Sequence, residues 1–153
     1  MRALVREAVP EDADSILPHL VPKQRSALNM LPGGDLASLK YALAMSEESF
    51  CALKDGVPVC LGGVVRGGSA LAPVGIMWMT ITPELSKFPK QLLRDSREVV
   101  RGWCERFPVL VDYVDTTQTQ TLRWLRWLGF DILDPVPGMD DNMVHPVELR
   151  AWA

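Results

Sequence analysis

The sequence predicts a mixed α/β fold, a sheet with a central antiparallel meander and flanking helices. Three observations carry that reading. Strand signals at Phe50–Leu53, Val57–Val65 and Val74–Thr82 follow one another with turn residues between them, Asp55-Gly56 and Gly67-Gly68, and tight turns join antiparallel neighbours. A long amphipathic segment ending at Phe107 comes next. Strand and helix signals then alternate to the C-terminus, the pattern of a mixed sheet with helices packed on it. With 153 residues, 48% apolar and 23% charged, residues 1–153 suit a single domain with one core.

The elements follow in order. Ala3–Ala8 reads as a short strand, and Pro10 with Glu11, Asp12 and Asp14 suits a helix's first turn. Pro18 and Pro22 punctuate that helix and keep it short. Gly33-Gly34 breaks the chain and Asp35 is an N-cap candidate for a second helix, with Leu36, Leu39, Leu43 and Met45 apolar, to about Ser46. After the meander the longest helix starts at about Leu85 or Pro89 and runs to Phe107. Leu92, Ser96, Val99, Val100, Trp103 and Phe107 share one side of it, and Lys90, Arg94, Arg97 and Arg101 fall on roughly the opposite side. Val109–Asp115 alternates as a strand, Thr117–Leu128 is a helix ended by Gly129, and Phe130–Leu133 begins another strand. Met143–Arg150 closes the chain as a strand that Pro146 marks as short or at an edge.

Composition excludes several function classes. No apolar run reaches the ~18 residues of a membrane-spanning helix, and Arg2, Arg6 and Glu7 stand where a signal peptide needs apolar residues. A cytoplasmic place is the expectation. Cys51, Cys60 and Cys104 form no C-x-x-C pair, and with His19 and His145 as the two histidines no metal site is expected. Three reduced, mostly buried thiols are the expectation. Net charge is −3, divided as −2 over residues 1–86, +3 over 87–126 and −4 over 127–153. That balance gives no strong nucleic-acid signal.

The segment V-D-Y-V-D-T-T-Q-T-Q-T-L-R-W-L-R-W-L-G-F, residues 111–130, together with the order of elements, resembles the GCN5-related N-acetyltransferase (GNAT) fold. It is similar to that family's fifth strand and following helix, N-x-x-A-x-x-x-Y-x-x-x-G-F. Gln118 stands at the family's asparagine, Thr121 at its alanine and Leu125 at its tyrosine, ahead of Gly129-Phe130. A further resemblance covers about Trp78–Leu133, through W-M-T-I-T-P-E-L, F-P-K-Q-L-L-R-D-S-R-E-V, P-V-L-V-D-Y-V and L-R-W-L-R-W-L-G-F. These segments are similar to the small internal virion proteins of short-tailed coliphages, and that resemblance implies a place in a host cell's cytoplasm or in a virion.

The resemblance implies a cofactor site for acetyl-CoA at Met79, Thr80, Ile81, Ser86, Lys87, Phe88, Lys90 and Gln118. It also implies where that site departs from the family. The phosphate loop of the family is R/Q-x-x-G-x-G/A, whose glycines let backbone amides close on a pyrophosphate. Here Lys87, Pro89 and Gln91 stand near the glycine positions, and no glycine occurs between Gly75 and Gly102. Leu125 cannot donate the proton that the family's tyrosine gives to the leaving thiolate.

No catalytic residue is assigned. Asp112 and Asp115 are available as a general base and lie on opposite faces of their strand. The competing reading has one facing solvent and the other capping the helix near Thr117. Trp124 and Trp127 with Arg123 and Arg126 read as sheet packing or as a recognition surface. The basic stripe reads as a solvated face or a phosphate or partner contact. Two function classes follow. One is a phage-type protein with a degenerate acetyl-CoA site and no cofactor, a non-catalytic virion or assembly protein whose partners are other virion or host proteins. The other is an active acyl-CoA-dependent N-acetyltransferase with an atypical phosphate-binding loop.

Overall fold

The computed structural model of the chain describes residues 3–29, 31–84, 90–138 and 141–150. Its elements are β1 (Ala3–Glu7), α1 (Glu11–Ile16), α2 (Pro22–Asn29), α3 (Gly34–Met45), β2 (Glu48–Lys54), β3 (Val57–Gly68), β4 (Pro73–Ile81), α4 (Lys90–Arg106), β5 (Val109–Asp115), α5 (Thr119–Leu128), β6 (Asp131–Ile132), β7 (Val136–Pro137) and β8 (Met143–Arg150), with a 3-10 turn at Leu17–His19. The strands make an eight-stranded sheet in the order β1-β2-β3-β4-β5-β8-β6, with β7 pairing to β8. The β1–β2 and β2–β3 pairs are antiparallel, β4–β5 is parallel, and β8 runs antiparallel to β5, β6 and β7. The mixed α/β class read from the sequence is the observed one. The chain forms two compact units, Met1–Val65 with Trp78–Glu98 and Arg66–Met77 with Val99–Ala153.

In the first unit one cluster joins Ala13 and Ile16 of α1, Leu39 of α3, Cys51 and Leu53 of β2 and Leu61 of β3, with Trp78 packed against it. A second cluster holds Ala52, Val59, Cys60 and Ile81, with Val21 and Met79 against it. Cys51 and Leu53 share one cluster and Ala52 the other, because successive strand residues face opposite ways. The Asp55-Gly56 turn is as expected, with φ of 51° and 81°, the left-handed pair that a two-residue hairpin needs.

Three expectations are corrected here. Pro22 opens a helix, α2, rather than only ending the one before it, since proline suits the first helical turn where its missing N–H has no partner to lose. Asp35 lies inside the first turn of α3, and Gly33 at φ 89° is the N-cap residue. Gly67-Gly68 ends β3 rather than forming the turn; Ser69 N–H donates to Ala72 O across the turn itself.

In the second unit Val100 and Trp103 of α4 and Phe107 just after it are buried, with Leu110 and Val114 from β5 and Leu122, Leu125 and Phe130 from α5 and its exit. Of the face expected of this helix, Ser96 is buried as well and Val99 is half-buried, while the side chain of Leu92 lies outside the described residues. At Gly75 a Cβ would lie 2.6 Å from Leu110 Cδ2 and 2.9 Å from Phe107 Cδ2, so β4 can pass there only without a side chain. Gly129, at φ 103°, ends α5 as expected.

The expectation that β8 is short or at an edge is wrong. It is eight residues long and lies between β5 on one side and β6 and β7 on the other. Pro146 O accepts Leu133 N–H at 2.9 Å, so the hydrogen-bonding side of Pro146 faces the β6–β7 side. There β7 pairs at Met143 and Val144 and β6 at Val147 and Glu148. The missing N–H of Pro146 therefore falls where the ladder is already interrupted.

Candidate functional site

The sequence-derived cofactor residues divide among three places. Met79, Thr80 and Ile81 are consecutive in β4 of the first unit. Lys90 is the exposed first residue of α4. Gln118, in the second unit, is the N-cap residue of α5, and its side chain makes no capping hydrogen bond. Ser86, Lys87 and Phe88 lie outside the described residues.

At the end of β4, alternation sets the roles. Thr82 N–H donates to Val59 O of β3 at 3.0 Å, so the N–H and C=O of Ile81 point away from β3. Both are engaged. Gln24 Oε1 accepts the Ile81 N–H at 2.7 Å, and Val21 N–H donates to Ile81 O at 3.2 Å. Thr80 and Thr82 share the face of Trp78 and are buried, with hydroxyl oxygens that find no hydrogen-bond partner among the described residues. Sequence reasoning missed Val21 and Gln24 as partners of this strand.

In the second unit the two β5 aspartates part company. Asp115 is buried, and its carboxylate holds the turn into α5. Oδ1 accepts Thr117 N–H at 2.8 Å and the Thr117 hydroxyl, while Oδ2 accepts Asn142 Nδ2–H at 2.6 Å. This is an Asx turn ahead of α5 rather than the helix cap expected of one aspartate, since α5 begins at Thr119 with Gln118 as its N-cap residue. Asp112 does not face solvent as the companion reading had it. It is half-buried on the strand face of Leu110 and Val114, which are buried. Burial pushes its carboxyl up to about 7, against a smaller pull downward from the Tyr113 N–H that Oδ1 accepts at 2.7 Å.

Other candidates settle simply. Leu125 is buried with Thr121 and Leu122 on the packed side of α5, whereas Trp127 is 43% exposed and so departs from the packing reading. In the basic stripe Lys90, Arg94 and Arg101 are exposed and Arg97 is half-buried. Cys51 and Cys60 are buried and Cys104 is half-buried, and all three are free thiols. Burial, aided by the nearby Asp12 carboxylate, pushes Cys51 up to about 12, and burial raises Cys60 and Cys104 as well. None has the depressed value of a reactive cysteine. Among the described residues no three His, Cys, Asp or Glu side chains gather as a metal site needs, and no helix is long and apolar enough to cross a membrane.

Solved structures match nearly the whole chain. The GNAT-family acetyltransferase of Streptococcus pneumoniae superposes with a TM-score of 0.69 at 15% identity, covering 99% of this chain and 100% of that one. The chain has the GNAT acetyltransferase fold. A phosphinothricin acetyltransferase of the GNAT superfamily from Sinorhizobium meliloti, solved in complex with acetyl-CoA, gives 0.71 at 16% identity over 99% and 89% of the two chains. An N-acetyltransferase from Staphylococcus aureus Mu50 gives 0.69 at 14% over 99% and 100%. No family model matches the chain, and no curated protein matches it in sequence. The resemblance to phage internal virion proteins therefore stands on the quoted segments alone.

Proposed function

We propose that the chain is an acyl-CoA-dependent N-acetyltransferase with an atypical phosphate-binding loop. Fold does not by itself fix activity, so the observation that carries this reading is Asp112, a carboxyl on β5 of the GNAT fold that burial holds at about 7. An amine acceptor reaches the enzyme as an ammonium ion and must lose a proton before its lone pair can attack a carbonyl carbon. A carboxylate poised near neutrality suits that task better than an ordinary one, because it is both partly ionised and a stronger base. Acetyl-CoA, when bound, supplies the acyl group as an activated thioester.

The residues fit such a ligand in part. The Ile81 N–H of β4 can serve a ligand carbonyl only by exchanging Gln24 Oε1 for it, and Lys90 at the start of α4 places a positive charge where a helix N-terminus favours phosphate. Asp112 takes the ammonium proton. Leu125 has no proton to give, so the leaving thiolate takes its proton from solvent.

A specific observation favours the second reading in one respect, a degenerate acetyl-CoA site in a non-catalytic protein; the virion or assembly role of that reading rests on the phage resemblance alone. The Ile81 amide is already held by Gln24, and the stretch from Ile76 to Arg101 has no glycine with which to build a phosphate cradle. Acetyl transfer to a panel of primary amines separates the two. The enzyme reading expects turnover that rises with pH through about 7 and falls by ~10²-fold or more in Asp112→Asn. Absence of both turnover and acetyl-CoA binding at millimolar concentration would leave the second reading in place.

A further inference from the structure

Ile81 is held at the β4 edge by one short segment through two contacts of different kinds. Val21 N–H donates to Ile81 O at 3.2 Å, backbone to backbone, and Val21 packs against the cluster of Ala52, Val59, Cys60 and Ile81 itself. Val21 O in turn accepts Gln24 N–H at 2.9 Å and Arg25 N–H at 3.1 Å, which sets the first turn of α2 against the strand. The contact to Ile81 N–H is instead made by the tip of a side chain, Gln24 Oε1, at 2.7 Å. A side chain can turn to another rotamer while α2 and Val21 stay where they are.

The Ile81 N–H has to keep an acceptor. Ile81 is 8% exposed, and a buried donor left unpaired is costly. Gln24 fills that need in the protein alone. An incoming chain with amide carbonyls can fill it equally well, because one neutral N–H···O=C bond replaces another. We infer that Gln24 is a displaceable plug on the β4 edge, holding the Ile81 N–H until the pantetheine arm of an acyl-CoA supplies a carbonyl in its place. This rests on the acyltransferase reading above. The plug makes Gln24 a determinant of ligand affinity that competes with the ligand rather than touching it.

The direction of the effect follows from that competition. Gln24→Ala removes the competitor and leaves a donor that only the ligand satisfies, so acetyl-CoA binds more tightly, by about five- to tenfold, the worth of one neutral hydrogen bond. Gln24→Glu keeps an acceptor of the same reach and adds charge, which strengthens the plug and weakens binding. Calorimetry with acetyl-CoA on the wild type and both variants reads these shifts. Amide hydrogen exchange at Ile81 reads the plug without ligand, and Gln24→Ala should speed it and added acetyl-CoA slow it again. Unchanged exchange at Ile81 in ligand-free Gln24→Ala overturns the plug, whatever the ligand does. Equal or weaker acetyl-CoA binding by Gln24→Ala, with the wild type binding, overturns it while leaving the acyltransferase reading intact. Failure of all three proteins to bind acetyl-CoA removes both.

Discussion

The indole N–H of Trp78 donates to Ser46 Oγ at 2.8 Å, and Gly63 leaves the room for it. Ser46 Oγ also donates to Ala42 O at 2.7 Å, so the bond ties the last turn of α3 to β4. A Cβ at position 63 would lie 2.7 Å from Ser46 Oγ, 2.9 Å from Trp78 Nε1 and 2.9 Å from Glu48 O. Gly63→Ala should therefore destabilise the fold by about 1–3 kcal/mol through overpacking. Urea unfolding checks this, and a midpoint equal to that of the wild type would mean that Trp78 moves aside without cost.

Arg6 grips Asp12 with both terminal guanidinium nitrogens, at 2.8 and 2.9 Å, and Val9 N–H adds a third bond to the same carboxylate at 2.9 Å. Burial alone would raise the Asp12 carboxyl, yet the hydrogen bonds from Arg6 and Val9 hold it below its ordinary value. A carboxyl that is lowered on folding contributes stability above its unfolded value near 4, and that contribution fades as pH falls through the folded value. Asp12→Ala should cost about 2–4 kcal/mol at pH 7, since it leaves Arg6 and the Val9 N–H without their partner. The gap between variant and wild type should narrow below pH 4. A gap of constant size from pH 7 to pH 2 would show that the charge plays no part.

Asp112 has the opposite sign. Its folded value of about 7 lies above the ordinary 3.8, so between roughly pH 4 and 7 the folded chain keeps a proton that the unfolded chain has lost. Its contribution is full below pH 4 and is lost as pH rises to about 7. Asp112→Asn cannot titrate, so its stability relative to the wild type should rise across that window. Thermal melts at pH 4 and pH 8 test this, and a difference that stays flat would place the carboxyl in water.

Gly129 ends α5 at φ 103°, with its N–H donating to Arg126 O at 3.1 Å and Phe130 N–H donating to Leu125 O at 3.0 Å. Its Cβ position is open, with Leu149 Cδ1 at 3.7 Å. The cost of a side chain there is therefore conformational rather than steric. Gly129→Val should lower stability by at least about 1 kcal/mol, and Gly129→Asn by less, because asparagine tolerates the left-handed region. If the two variants melt together, the backbone at 129 has relaxed and the cap is not what limits the helix.

What the sequence determined by itself was local. Asp55-Gly56 specifies its hairpin, Gly129 its helix end, and the alternation of Val109–Asp115 its strand, because each rests on the conformational preference or periodicity of neighbouring residues. The opposite faces of Asp112 and Asp115 follow from that same period of two. Which face is buried does not, since that depends on what packs there, and only the tertiary structure made one aspartate the holder of a turn and the other a raised carboxyl. Pro22 and Pro146 misled for a related reason. A missing N–H is harmful only where a partner waits for it, and a first helical turn and a gap between β6 and β7 offer none. The bond from Ile81 N–H to Gln24 joins residues 57 positions apart. No spacing rule reaches across that distance, because the pairing is made by the end of β4, beyond its pairing with β5, and the first turn of α2 meeting after each has formed.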